Sequence, residues 1–317
     1  MSKKSIYLLG ILLTIIVGSI LYWYLCCTVC YAEKCTSPTQ KEQQTSNGEV
    51  SKPKIKHPTL LPLSIKDTNG NFAYEINENF NFNTSNFSIH DSVSSSLNNG
   101  ISMIKEYLDS NKNKQLNITG YYMDNEVNNS AFPNLGLARA NSVKNYMVSQ
   151  NISSKIINTY GKLNNDIVPD ANNVLFGPLQ LDIFTKTDKN LRNDKDEALK
   201  KACEIIKENP LLIYFKTGQS SINLTPQQRQ KFADISKCVD KLDVTIQVTG
   251  HSDNTGNKDR NMKLGLQRAN SIKTYLIKNG ISSQKITATS KGQNNPISDN
   301  TTEEGKAKNR RIEVTIN

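Results

Sequence analysis

One passage of this chain occurs twice, and the duplication constrains the architecture more than any other feature. Leu135-Gly136-Leu137-Ala138-Arg139-Ala140-Asn141-Ser142-Val143-Lys144-Asn145-Tyr146 parallels Leu264-Gly265-Leu266-Gln267-Arg268-Ala269-Asn270-Ser271-Ile272-Lys273-Thr274-Tyr275 at a constant offset of 129 residues. Ile152-Ser153-Ser154 returns as Ile281-Ser282-Ser283 at the same offset, and Asn117-Ile118-Thr119-Gly120 resembles Gln247-Val248-Thr249-Gly250. Self-similarity at a fixed offset marks one structural unit used twice. The copies occupy about residues 61–187 and 188–317, two ordinary domains in a chain of 317 residues.

The second copy is the easier to read. Leu211–Phe215 is apolar and β-prone. Thr225 and Pro226 fit the N-cap and first position of a helix running to about Leu242. Val244–Val248 alternates as a strand. A helix follows from about Asp259 to Lys278, with Met262, Leu266, Ala269, Ile272 and Leu276 as its apolar stripe and Asn279-Gly280 as its stop. Lys285–Thr289 is a third strand, and a short helix near Glu303–Asn309 leads into the strand Arg311–Ile316. A further helix, about Asp196–Glu208, precedes the first strand. The order βαβαβ(α)β predicts an α+β fold in each copy: one sheet with helices packed on one face.

Ahead of the repeats, Ile6 to Leu25 contains no charged residue. Twenty helical residues span about 30 Å, the thickness of the bilayer hydrocarbon. Lys3 and Lys4 precede the stretch and Tyr22, Trp23 and Tyr24 close it. This is the pattern of a single-pass anchor with a cytoplasmic N-terminus and an exported remainder, most simply inner membrane and periplasm. A cleaved signal peptide ending after Ala32 is the alternative. Cys26, Cys27, Cys30 and Cys35 crowd just beyond the anchor; zinc ligation, disulfides, acylation and no role at all remain open for them. Residues 36–60 carry few apolar side chains and read as a flexible linker.

The formal net charge is +10. It is uneven: residues 188–317 hold 23 Lys+Arg against 15 Asp+Glu, and residues 61–187 hold 9 against 11. The basic residues are interleaved with acids and have no aromatic stacking platform beside them, which argues against a nucleic-acid partner. Gly250-His251-Ser252-Asp253 holds the residue types of a hydrolase triad, but neighbours in an extended loop point apart, whereas a triad must converge. Asn261, Gly265 and Arg268 share one helix face. Gly265 would leave a notch between two polar side chains. Asp253 and Thr255 lie in the turn leading to that helix. Asp253 and Arg268 either grip the two ends of a zwitterion or pair with each other to steady the loop.

Gly250-His251-Ser252-Asp253-Asn254-Thr255-Gly256, Asn261 through Ala269, Gly280-Ile281 and Asn309-Arg310-Arg311-Ile312-Glu313-Val314 closely resemble the pattern of the OmpA-like peptidoglycan-binding family, which includes the OmpA C-terminal, Pal and MotB domains. The resemblance covers about 110 residues, from Leu211 to the end. It implies a non-catalytic, cofactor-free module that binds peptidoglycan by the meso-diaminopimelate of its stem peptide. Asp253 and Arg268 would be the principal contacts, with Thr255, Asn261 and Arg310 in support. Ser252, Gly265 and Lys306 depart from the usual Thr, Ser and Arg, and Gly218 stands where a polar residue is common. The other reading is an envelope protein-interaction scaffold in which wall binding is secondary.

Two further expectations follow. Cys203 and Cys238 each precede a strand of one β-α-β crossover, so they should meet at one end of the sheet, as a disulfide or as buried thiols. The first copy should be a degenerate relative that keeps the fold without the ligand. Asp124 and Arg139 retain the spacing of Asp253 and Arg268, but Phe132 replaces Asn261, one extra residue precedes Asp124, and no Asn-Arg-Arg follows. An internal Asp124–Arg139 salt bridge is expected there.

Overall fold

The computed structural model describes residues 57–186, 189–216 and 222–317, with the backbone alone for 189–195. The apolar stretch 6–25, Cys26, Cys27, Cys30 and Cys35, most of the linker and Gly218 lie outside the described residues. Among the described residues no helix is long and apolar enough to cross a membrane.

The second repeat is built on a four-stranded sheet in the order β10-β9-β11-β8. Its elements are α3 (Lys189–Glu208), β8 (Leu211–Tyr214), α4 (Pro226–Leu242), β9 (Ile246–His251), α5 (Lys258–Lys278), β10 (Ile286–Gly292), α6 (Glu303–Asn309) and β11 (Arg311–Ile316). Strand β11 runs antiparallel to both β8 and β9, and β9 runs parallel to β10. The Thr225 side chain accepts from Gln228 N and the Gln228 side chain returns the bond, so a capping box starts α4. Ile246, Val248, Ile312, Val314 and Ile316 turn one face of the sheet to Phe232, Ile235, Ala269, Ile272 and Leu276 of the helices.

The apolar stripe expected along α5 holds only in its C-terminal half. Ala269, Ile272 and Leu276 are buried, but Met262 and Leu266 are 38% and 40% exposed, and Asn261, Gly265 and Arg268 point inward instead. The cause is backbone contact. A Cβ on Gly250 of β9 would strike the Gly265 carbonyl, and one on Gly265 would strike Ser290 Oγ. The helix therefore lies directly on the strand at this point. Gly265 serves that approach and is not a notch for ligand. Gly120 and Gly136 make the same crossing in the first repeat.

The first repeat comprises β1 (Leu63–Asp67), β2 (Ala73–Ile76), β3 (Phe82–Asn83), α1 (Ser95–Ser110), β4 (Lys114–Tyr122), α2 (Leu135–Ser149), β5 (Ile157–Leu163), β6 (Val174–Leu175) and β7 (Leu179–Thr185). Its sheet has five strands in the order β2-β1-β7-β4-β5. Here the expected βαβαβ(α)β order needs correction. A hairpin, β1–β2, has been added, and β1 runs parallel to β7 where β8 runs antiparallel to β11. The Phe82 segment, matched in sequence to the first strand of the second repeat, is left as the two-residue β3 paired with β6. Among the described residues no helix stands between β5 and β7. The Gly-Gly crossing and the α2–β4–β5 unit are retained, because the long repeated passage lies there.

Both repeats belong to one compact unit. They are joined by polar bonds: a Lys144–Asp240 ion pair, Asn279 Oδ1 accepting from Ala131 N at 2.7 Å, and Lys241 Nζ donating to the carbonyls of Lys155 and Ile157 at 2.9 and 2.6 Å. Burial pulls the Lys241 ammonium down to about 8. Cys203 of α3 and Cys238 of α4 are disulfide-linked, with their Cα atoms 6.0 Å apart. This ties the helix that enters the second repeat onto its core. Peptide mapping of the protein without reductant should recover the linked pair, and two free thiols would contradict the bond.

Candidate functional site

The site lies where the β9–α5 loop meets the last strand. Backbone pairing carries β9 to His251, and Ser252 N then donates to Gly292 O at 2.9 Å. Asn261, in the first turns of α5, fastens the loop from within. Its Nδ2 donates to Asp253 O and Thr255 O, each at 3.2 Å, and to Gln293 Oε1 at 2.6 Å. Its amide thus shapes the loop. Thr255, in the exposed part of the loop, donates its N–H to Asp253 Oδ1 at 2.9 Å.

The Asp253 carboxylate is paired with Arg310, Nη1 to Oδ2 at 2.8 Å, and not with Arg268. Burial works to raise the Asp253 carboxyl, but the bonds from Arg310 and Thr255 outweigh it and hold the group below the usual carboxylate range. Arg268 is the opposite case. It is 1% exposed, and its Nε, Nη1 and Nη2 have no hydrogen-bond partner among the described residues. Its guanidinium carbon sits 5.3 Å from the centre of the Phe215 ring. Burial pulls its pKa below the usual value, Asp253 opposes that shift and Arg310 adds to it. Arginine stays charged in proteins, so this is a buried cation whose fork of donors is unmet among the described residues.

The five site residues expected from sequence are thus gathered around one loop, with Arg310 as the internal partner of Asp253. The triad types do not converge. His251 Nε2 lies 3.6 Å from Glu313 Oε2, while Asp253 is committed to Arg310. Sequence reasoning missed Phe215 and Gln293. Phe215 had a signal: Phe82-Asn83-Thr84 in the first repeat answers Phe215-Lys216-Thr217 in the second. Gln293 had none.

The first repeat repeats this geometry with the fork filled. Arg139 is fully buried, 5.7 Å from the Phe82 ring centre. Its partner is Glu126, which it grips with both Nη atoms, and it also donates to the carbonyls of Tyr121 and Asn86 at 2.9 and 3.0 Å. Glu126 accepts in addition from Met123 N and Ser85 N, each at 2.9 Å. The expected Asp124–Arg139 bridge is therefore corrected. Asp124 is exposed and pairs with Asn165 Nδ2 at 3.0 Å, because the longer loop carries it outward and brings Glu126 in. Phe132, opposite Asn261, is 3% exposed and packed inward.

The OmpA family model matches residues 79–174 and 214–310, together more than half of the chain. The chain belongs to the OmpA family. Among relatives of this OmpA-family chain, Outer membrane protein A of Bordetella avium is 40% identical over 94 residues, 29% of this chain and 48% of that protein. Peptidoglycan-binding protein ArfA of Mycobacterium tuberculosis is 38% identical over 104 residues, 32% of this chain and 31% of that protein. The chain thus spans less than half the length of either relative. The crystal structure of the peptidoglycan-associated lipoprotein from Burkholderia pseudomallei aligns with a TM-score of 0.31 and 25% identity, over 33% of this chain and 89% of that one.

Proposed function

We propose that this OmpA-family chain is an envelope protein, held to a membrane by residues 6–25, whose second repeat binds peptidoglycan without covalent chemistry. The ligand is the meso-diaminopimelate of the stem peptide. Its free carboxylate lies on the Arg268 fork and its ammonium on Asp253, which keeps acceptor capacity beside the Arg310 and Thr255 bonds. Asn261 holds the loop in register, and Thr255 and Arg310 set the Asp253 side chain.

The observation that carries this reading is Arg268: a buried guanidinium with no hydrogen-bond partner among the described residues. A charge left in that state is costly unless a ligand completes it. The duplicate supports the same reading. In the first repeat an internal carboxylate, Glu126, stands on the matching arginine over the matching phenylalanine. Glu126 is a model of where a ligand carboxylate would sit on Arg268. It also closes the first repeat to such a ligand, which leaves that repeat as a spacer or as a surface for another protein.

Calorimetric titration with soluble stem peptides tests the assignment. Peptides carrying diaminopimelate should bind, and those with lysine in its place, lacking the second carboxylate, should bind poorly. Added salt should weaken the interaction. Because the Asp253 carboxyl is held low, its charge persists as pH falls, and affinity should stay level from neutrality to about pH 5. Equal affinity for the two peptides would overturn the assignment.

A further inference from the structure

A cleft between the two repeats is unused by the site above. It has a volume of about 230 Å³ and lies between β5, at the edge of the first sheet, and α4 of the second repeat. Phe132 and Leu137 give it an apolar part. Four consecutive strand residues, Ile157, Asn158, Thr159 and Tyr160, all line it. Successive strand side chains point to opposite faces, so a cleft that touches all four runs along the edge of the strand.

The backbone direction is fixed by Lys241. Its ammonium donates to Ile157 O at 2.6 Å, so the backbone groups of Ile157 face α4 and not β4. With a period of two, those of Thr159 and Gly161 face the same way. Among the described residues β5 pairs with β4 alone, and the outward N–H and C=O of Thr159 and Gly161 have no other partner. Lys241 thus satisfies the start of this edge and leaves the next donors and acceptors open, at the spacing of a strand.

We propose that this cleft takes an extended peptide segment of a partner protein, which adds to β5 as a further strand of the first sheet. A bare edge would accept any strand, a second copy of this chain included. Here α4 stands beside the edge, and the cleft of about 230 Å³ between them suits a short segment rather than the sheet of a second copy. The lining is formally charge-balanced, with Asp234 and Asp240 alongside Lys237 and Lys241 on its α4 wall. The fitting peptide is therefore uncharged, with main-chain bonds to Thr159 and Gly161 and an apolar side chain toward Phe132 and Leu137. The site arises from the tandem arrangement, because one wall comes from each repeat.

The test is selection of a phage-displayed random heptapeptide library on the full chain, with enriched peptides then synthesised. Thr159→Pro removes the outward donor of an edge strand without touching the β4 ladder. Ala233→Arg fills the cleft from the α4 side and serves if the proline variant fails to fold. Enriched peptides should bind the wild-type chain and the Asp253→Ala variant equally, and lose roughly tenfold or more on either cleft variant and on N-methylation of alternate peptide bonds. Absence of enrichment overturns the proposal. So does binding that survives both cleft variants or N-methylation, or selective enrichment of charged sequences.

Discussion

Arg268→Ala should abolish retention of the full chain by purified sacculi while leaving the fold intact. Truncating one partner of a desolvated charge contact costs about 2–5 kcal/mol, at least about thirtyfold in affinity. The wild-type side chain makes no hydrogen bond to any described residue, so its loss gives up the Phe215 contact but relieves a buried charge. Thermal stability should therefore hold or rise as binding falls, an opposition that a purely structural arginine cannot produce. Arg268→Lys should recover only part of the affinity, because an ammonium lacks the planar fork that matches a carboxylate. Retention of Arg268→Ala at the wild-type level would remove the site.

Glu126→Gln should have the opposite signature. Arg139 and Glu126 form a buried pair, with side chains 0% and 1% exposed. Removing the charge of one member leaves an uncompensated cation in the core, which typically costs about 3–5 kcal/mol. Denaturant unfolding of the full chain should show this loss, and sacculus retention under native conditions should be unchanged. The pH dependence follows from the direction of the shift. Burial raises the Glu126 carboxyl, but the Arg139 bonds prevail and its folded pKa lies below the ordinary value. The stabilisation is thus fully present above the unfolded value of about 4.3 and is lost as pH falls through the lower folded one. The gap between wild type and variant should be constant at neutral pH and close in strong acid.

How much of this was legible in the sequence depends on where periodicity and chemistry agree. The second repeat's elements follow from alternation, caps and the repeated passage. At α5 they disagree. The Met262 and Leu266 spacing reads as core, yet both face solvent because Gly250 and Gly265 set which side of the helix lies on the sheet. Helical spacing identifies a face; close backbone contact decides which face is inward. The added β1–β2 hairpin was hidden for another reason: it lies outside the repeated passage, and strand direction is not written in alternation. The pairing of Asp253 with Arg310 and of Arg139 with Glu126 could not be counted from spacing, because loop length moves a carboxylate by a full side-chain reach. The family pattern did single out Asp253, Arg268, Asn261, Thr255 and Arg310, and the structure places them around one loop.

The most direct test of the central claim is an NMR titration of the folded unit with a diaminopimelate-containing tetrapeptide, following backbone amides and arginine Nε–H resonances. The account predicts that Arg268 Nε–H and the amides of Ser252 to Thr255 shift and saturate together, while Arg139 Nε–H stays still because Glu126 already occupies its fork. Shifts at Arg139 that saturate as tightly as those at Arg268, or no shift at Arg268 in a peptide-bound sample, would contradict it.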